Sequence, residues 1–150
     1  MQDRIGGWKR RWSARRLGVA SGAVAAYEIN HLTDAVAFGL KATTLAERLG
    51  AVAVGVVVLL ASIVLVRKLF GRSFFNGFIV ASGTVLSFDI VLFHWIFQLH
   101  RITNGPEADV LEPLFVLFGI GLMWWGISRE GSSDAPPSSP RMDPLQAPPR

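Results

Sequence analysis

Cysteine is absent from this sequence of 150 residues, which excludes disulfides, thiolate metal sites and cysteine nucleophiles. Three signatures of soluble enzymes are also missing: a glycine-rich phosphate loop, a nucleophile elbow and a His-Glu-x-x-His zinc motif. Charged residues are few, at 17% of the chain, and they stand in short stretches between long apolar blocks. This distribution is typical of a polytopic membrane protein and not of a soluble core.

Apolar residues dominate what is present, since the set AVILMFWYC makes up 51% of the chain. One crossing of the bilayer core, which is about 30 Å thick, needs roughly 20 residues. The second apolar segment, LGAVAVGVVVLLASIVLV, is uninterrupted, whereas the first contains several polar residues. We predict an all-α membrane protein whose residues 17–127 form a four-transmembrane-helix bundle, with crossings at 17–40, 49–66, 74–99 and 111–127.

Two polar flanks border the predicted bundle. Residues 1–16 form a basic juxtamembrane segment, either a short interfacial helix or a solvated tail, whose candidates for contact with anionic lipid headgroups are Arg10, Arg11, Arg15 and Arg16. The position of these charges beside a membrane span explains them without a nucleic-acid partner. Residues 128–150 are rich in proline and serine and are predicted to be disordered.

Basic residues in the connecting loops predict the orientation of the bundle. One side carries nine Lys and Arg residues, from the N-terminus and the loop after the second crossing, and the other side carries three. The positive-inside rule then places both termini in the cytoplasm of a multi-pass cell-membrane protein. An alternative is that the first crossing is a cleaved signal peptide, because small residues stand at 23–26; three crossings with the same orientation would then be left.

Ionisable residues inside the predicted crossings are the main functional signal. The rise of about 1.5 Å per residue, combined with the predicted topology, puts seven of them in the outer half of the membrane. A charged side chain at the bilayer centre costs on the order of 3 kcal/mol, so we expect these groups to face the interior of the bundle. They are Glu28, His31, Asp34, Asp89, His94, His100 and Glu112.

The stretch LSFDIVLFHWIFQLHRI holds three of these groups in one crossing. At about 100° per residue, Asp89 and His100 are nearly eclipsed, while His94 lies about 140° from Asp89 and shares a stripe with Gln98. One face of a regular α-helix therefore does not present all three side chains. We expect the third helix to contact two neighbours and to be central in the bundle.

Imidazole and carboxylate groups together suit a divalent metal ion such as zinc, iron, manganese or copper. The predicted metal ligands are His94, His100, Asp89 and Glu112, with supporting or relay roles for Glu28, His31, Asp34, Asp109 and Gln98. Haem held between His31 and His94 is a weaker alternative, because the surrounding carboxylates suit it poorly. A di-iron site is also weaker, because Glu28 and His31 form the only Glu-x-x-His pair.

Two further functions stay open on the same residues. Chains of Asp, Glu and His relay protons in pumps, so a small proton- or ion-translocating protein, or an accessory subunit of one, is an alternative. The polar groups could also be interhelical hydrogen bonds of roughly 0.6 kcal/mol each in a non-catalytic assembly protein. The expected partners are the lipid bilayer and either other membrane subunits or a second copy of the chain.

The third crossing carries Asp-x4-His-x5-His, followed by an acidic residue at the start of the next crossing. In this it resembles the bacterial predicted membrane proteins of domain of unknown function 2243, whose members read F-D-G-x-x-x-H-x-x-L-x-x-H in such a helix. The similarity covers residues 83–126. Ile90 stands where the family usually has glycine, and Glu112-Pro113 stands where a later motif often ends in histidine. Because that family has no established activity, the resemblance implies a membrane protein with a His/Asp site and no more.

Overall fold

The computed structural model describes residues 2–131, with side chains described for residue 7 and for residues 9–129. Four helices make up this part of the chain, and it contains no strand. They are α1 (Gln2–Gly39), α2 (Leu45–Leu69), α3 (Arg72–Asp89) and α4 (Ala108–Gly131), and α3 continues directly into a π-helical segment, Ile90–Ile96. The predicted all-helical class is confirmed.

Within the described residues, three helical stretches are long and apolar enough to cross a membrane: Leu45–Leu69, Arg72–Ile96 and Ala108–Arg129. They correspond to the second, third and fourth predicted crossings. Helix α1 is not among them, since polar residues interrupt its apolar part and its N-terminal part is basic. The first crossing, at residues 17–40, therefore stays a prediction.

The helix boundaries differ from the predicted ones at three places. Helix α1 is continuous across residue 16, where the basic segment was expected to end, because no glycine or proline interrupts residues 8–17. The third helical stretch ends at Ile96, three residues before the predicted end at 99. Helix α4 runs to Gly131, so the first residues of the expected disordered tail are helical, and residues 132–150 of that tail lie outside the described part of the chain.

Helix α3 lies between α1 and α4, whereas α2 packs mainly on α1. As predicted, the third helix has two neighbours. Contacts follow the same order along α1 and α3, from Gly18 beside Phe74 to Gly22 beside Phe78, so these helices run parallel. Contacts between α3 and α4 follow the opposite order, and these helices are antiparallel.

Glycines bring the helix backbones close together. A Cβ atom on Gly22 would overlap the backbone of Phe78, and a Cβ atom on Gly119 of α4 would lie 2.7 Å from the carbonyl oxygen of Gly83. Such contacts between small residues are how membrane helices associate, because lipid provides no hydrophobic driving force between them. The buried apolar core beside these contacts consists of Phe75, Phe78, Ile79 and Leu122.

Candidate metal site at the end of the third span

The change from α-helix to π-helix aligns Asp89 with His94. In the π segment the backbone hydrogen bonds reach five residues back, as from the Phe97 N–H to the Leu92 carbonyl oxygen at 2.8 Å. Residues five positions apart, such as Asp89 and His94, then lie on the same side of the helix. The prediction that one face of a regular α-helix does not present all three side chains is not contradicted, because the segment leaves α geometry here and His100 lies beyond its end at Ile96.

A sharp bend after the π segment returns His100 toward the helix. Gln98 has a φ of +51°, a left-handed conformation that non-glycine residues seldom adopt. The imidazole rings of His94 and His100 are then in edge-to-face contact, with 4.5 Å between their centroids. One ligand atom from each of Asp89, His94 and His100 lies within 4.8 Å of the other two. Gln98 thus contributes its backbone conformation, and its side chain is exposed.

Glu112 at the start of α4 holds the His94 ring in place. Its side chain is buried, with 1% of the residue exposed. One carboxylate oxygen lies 3.0 Å from Nδ1 of His94, and the other accepts a hydrogen bond of 2.9 Å from the indole N–H of Trp95. The backbone N–H of Ile102 and the guanidinium of Arg101 complete the set of donors to this carboxylate.

These bonds give Glu112 a different role from that of the three clustered residues. A neutral His94 that donates from Nδ1 to this carboxylate carries its free lone pair on Nε2. That Nε2 atom is buried and has no hydrogen-bond partner among the described residues, and Oδ2 of Asp89 lies 3.6 Å away. A buried polar atom without a partner costs about 1–3 kcal/mol, so the atom itself points to a ligand.

Asp89 connects the cluster to α1 and to two cavities. Its Oδ2 accepts a hydrogen bond of 3.3 Å from the side-chain amide of Asn30. An open cleft of about 1060 Å³ is lined by Asp89 and His100 together with His31 and Asp34 of α1. A narrow, mainly apolar cavity of about 80 Å³ reaches Asp89 and His94 from inside the bundle. The cluster therefore lies between the cleft and the bundle interior.

The other predicted site residues lie outside the cluster. His31 and Asp34 are exposed but line the same cleft as the cluster, whereas Glu28 is exposed and lines neither cavity. Asp109 pairs with Arg101 at 2.6 Å instead of joining the cluster, and this hydrogen bond, with that to Glu112, raises the pKa of the Arg101 guanidinium. The candidates for lipid contact lie on the N-terminal half of α1, where Arg10, Arg11 and Arg16 are exposed and Arg15 is partly buried.

Sequence reasoning did not single out Trp95 or Arg101, although both bind Glu112. A signal for Trp95 was available, since an indole N–H buried in a membrane span needs an acceptor. For Arg101 the signal was its position directly after His100, which places a cation beside the predicted acidic residues.

The fold and the cluster together define a class: over residues 2–131 the protein is all-helical, with three helices able to cross a membrane and an Asp/His/His group at the end of the second of these. Comparison with protein-family models, with curated proteins and with solved structures gave no match. The resemblance to domain of unknown function 2243 stays a prediction.

Proposed function

We propose that this is a multi-pass protein of the cell membrane that binds one divalent transition-metal ion through His94, His100 and Asp89. The observation that carries the proposal is the Nε2 atom of His94, which is buried, has no hydrogen-bond partner among the described residues and lies beside two other potential ligand atoms. A metal ion bound there would satisfy this lone pair.

The donor set favours a site with open coordination positions. Two histidines and one carboxylate are typical of non-haem iron sites, and three protein ligands plus water are typical of catalytic zinc. Glu112 would act through His94, since a carboxylate that accepts from the other ring nitrogen orients a metal-bound histidine. The haem alternative, between His31 and His94, has less support, because His31 is exposed and lies outside the cluster that contains His94.

The proposed topology is four crossings with both termini in the cytoplasm. Helix α1 lies parallel to α3 with close backbone contacts from Gly18 to Gly22, so a crossing by α3 would carry this part of α1 to membrane depth. Basic residues gather at the N-terminal half of α1 and at the connection between α2 and α3. The positive-inside rule makes that end cytoplasmic, and the metal site then lies near the outer face.

Metal content and affinity of the purified protein test the proposal. Wild type, stripped with a chelator and reloaded in turn with zinc, iron, manganese and copper, is expected to retain one ion per chain of at least one of these metals. His94→Ala, His100→Ala and Asp89→Asn are expected to lose it. His31→Ala is the matched control, since His31 lines the same cleft outside the cluster. The proposal fails if wild type retains no stoichiometric metal, or if His31→Ala loses as much as His94→Ala.

A proton relay is the second candidate, because His94 lies between two carboxylates, 3.0 Å from Glu112 and 3.6 Å from Asp89. Toward its N-terminus, α3 buries the polar residues Asn76, Ser82 and Ser87, and none of these side chains is ionisable. The ionisable groups of the described residues therefore extend over only part of a path across the membrane. Proton flux into liposomes that depends on Asp89, in protein without bound metal, would favour this candidate over the metal site.

A further inference from the structure

A small basic pocket lies at the end of the bundle opposite the metal site. Arg67 from the last turn of α2, Arg72 from the start of α3 and Arg129 from the last turns of α4 surround about 230 Å³ of space. No carboxylate is among its described lining residues, which also include Phe70, Phe75 and Asn76. Seventeen residues separate Arg72 from Asp89 along the chain, so the two sites are about 25 Å apart.

Two of the three guanidinium groups, those of Arg72 and Arg129, are partly fixed by the protein. Arg72 donates to the backbone carbonyl oxygen of Arg129 at 3.3 Å, and the guanidinium of Arg129 lies 5.1 Å from the ring centre of Trp125. Arg67 and Arg72 place like charges on one space, which favours a bound anion there. Guanidinium groups match phosphate oxygens through paired hydrogen bonds, so phosphate is the anion that this set fits best.

The start of α3 adds donors to the same place. Its N-cap residue is Gly71, which has no side chain to accept hydrogen bonds from the first backbone N–H groups of the helix. The N-terminal end of a helix also favours negative charge through the helix dipole.

The side-chain oxygen of Asn76 indicates that the ligand also carries a hydrogen-bond donor. This residue is 3% exposed, lines the pocket, and its side-chain oxygen has no hydrogen-bond partner among the described residues. A carbonyl oxygen needs a donor, which a bare phosphate diester lacks and a hydroxyl group provides. The ligand should therefore carry both a phosphate and a hydroxyl. Exposed apolar residues at this end, Leu69, Phe70 and Ile127, offer a surface for acyl chains.

We propose that this pocket binds the headgroup of an anionic glycerophospholipid whose phosphate carries a free glycerol, as in phosphatidylglycerol. The phosphate would contact Arg67, Arg72 and Arg129, and a glycerol hydroxyl would donate to the side-chain oxygen of Asn76. This site is distinct from the arginines on the N-terminal half of α1, and it is independent of metal binding.

Lipid titration of the purified full-length protein, followed by native mass spectrometry, tests the proposal. Each basic residue near an anionic surface contributes about five-fold in affinity, so Arg67→Gln/Arg72→Gln is expected to weaken phosphatidylglycerol binding about 25-fold. Lys68→Gln removes a charge from an exposed residue of the same turn that does not line the pocket, and should change binding less than two-fold, whereas Arg67→Gln alone should weaken it about five-fold. Equal losses in these two single variants would overturn the pocket.

The role of the hydroxyl is tested on wild type, so that no variant has to fold. Wild type should bind phosphatidylglycerol about five-fold more tightly than phosphatidylethanol, a phosphate diester of the same charge whose headgroup carries no hydroxyl. Asn76→Leu should remove this preference. Equal affinity of wild type for the two lipids would refute the role of Asn76. Glycerol phosphate in solution should not compete; competition at concentrations similar to those of the lipid would make the site one for a soluble phosphate ester and overturn the lipid assignment.

Discussion

The third span is built in two different ways along its length. From Arg72 to Asp89 it is a regular α-helix whose contacts with its neighbours involve glycines, serines and the core aromatics. From Ile90 to Ile96 it is π-helical, and there His94 and Trp95 meet α4 through hydrogen bonds to Glu112. Backbone contact holds the first region, and a polar network holds the second.

This difference indicates a division of labour between fold and site. Close packing of small residues positions α1 and α4 against the first region, where nothing ionisable is buried. The last turns can then depart from α geometry, as π turns often do at functional sites, and direct Asp89 and His94 to one side. Substitutions in the two regions should consequently have different effects on stability and on metal affinity.

The largest effect is expected at the polar end, from Glu112→Ala. This change removes a buried acceptor from His94, Trp95 and the backbone N–H of Ile102, and should lower the free energy of unfolding by about 3 kcal/mol. Loss of the bond to Nδ1 of His94 should also weaken metal binding about 10- to 100-fold. Denaturation in detergent and metal titration measure the two effects.

Asp109→Asn is the matched control, because Asp109 binds the same arginine but its side chain is 70% exposed. An exposed ion pair contributes less than about 1 kcal/mol, and this variant should keep its metal affinity. If Asp109→Asn lowers stability and metal affinity as much as Glu112→Ala does, then the effect of Glu112 comes from its charge beside Arg101 and not from its hydrogen bond to His94.

The packed region could be predicted from the sequence more fully than the polar end. Apolar runs predicted the second, third and fourth helices, and three of the four predicted metal ligands, Asp89, His94 and His100, lie together in the structure. The π turn could not be predicted, because a period of 3.6 residues was assumed and no residue type specifies hydrogen bonds five residues apart. The role of Glu112 in orienting His94 could not be predicted either. The groups that donate to its carboxylate come from both sides of the bend at Gln98 and meet only because of that bend.

A smaller effect is expected in the packed region, where two glycines of α4 form a matched pair. A Cβ atom on Gly119 would press on Ser87 and Gly83 of α3, whereas one on Gly121 meets no atom within 4 Å. Gly119→Ala should cost about 1–3 kcal/mol by separating α4 from α3, and Gly121→Ala should be neutral or slightly stabilising. Metal affinity should change little in either variant. A loss of metal in Gly119→Ala without a loss of stability would show that the two regions are not separate.

The smallest effect concerns an ion pair that ties the starts of α2 and α4 together at the polar end. Arg48 and Glu107 form this pair at 2.5 Å, and their side chains are 16% and 12% exposed. The hydrogen bond from Arg48 lowers the pKa of Glu107 from 4.5 to about 2. Since the folded state binds the proton less readily than the unfolded state, the pair stabilises the fold above pH 4.5, and this stabilisation is lost as the pH falls to about 2.

Thermal unfolding of wild type and Glu107→Gln between pH 6 and pH 2 measures this contribution directly. The difference between their midpoints should be constant above pH 4.5 and should shrink as the pH falls to about 2, because Glu107 then takes up its proton and loses the charge that the glutamine variant never has. Taking the difference removes the titration of the other carboxylates, including Glu112. A difference that persists unchanged at pH 2 would mean that Glu107 stabilises the fold through packing and not through its charge. The charged residues at the polar end would then contribute to the metal site and not to the stability of the fold.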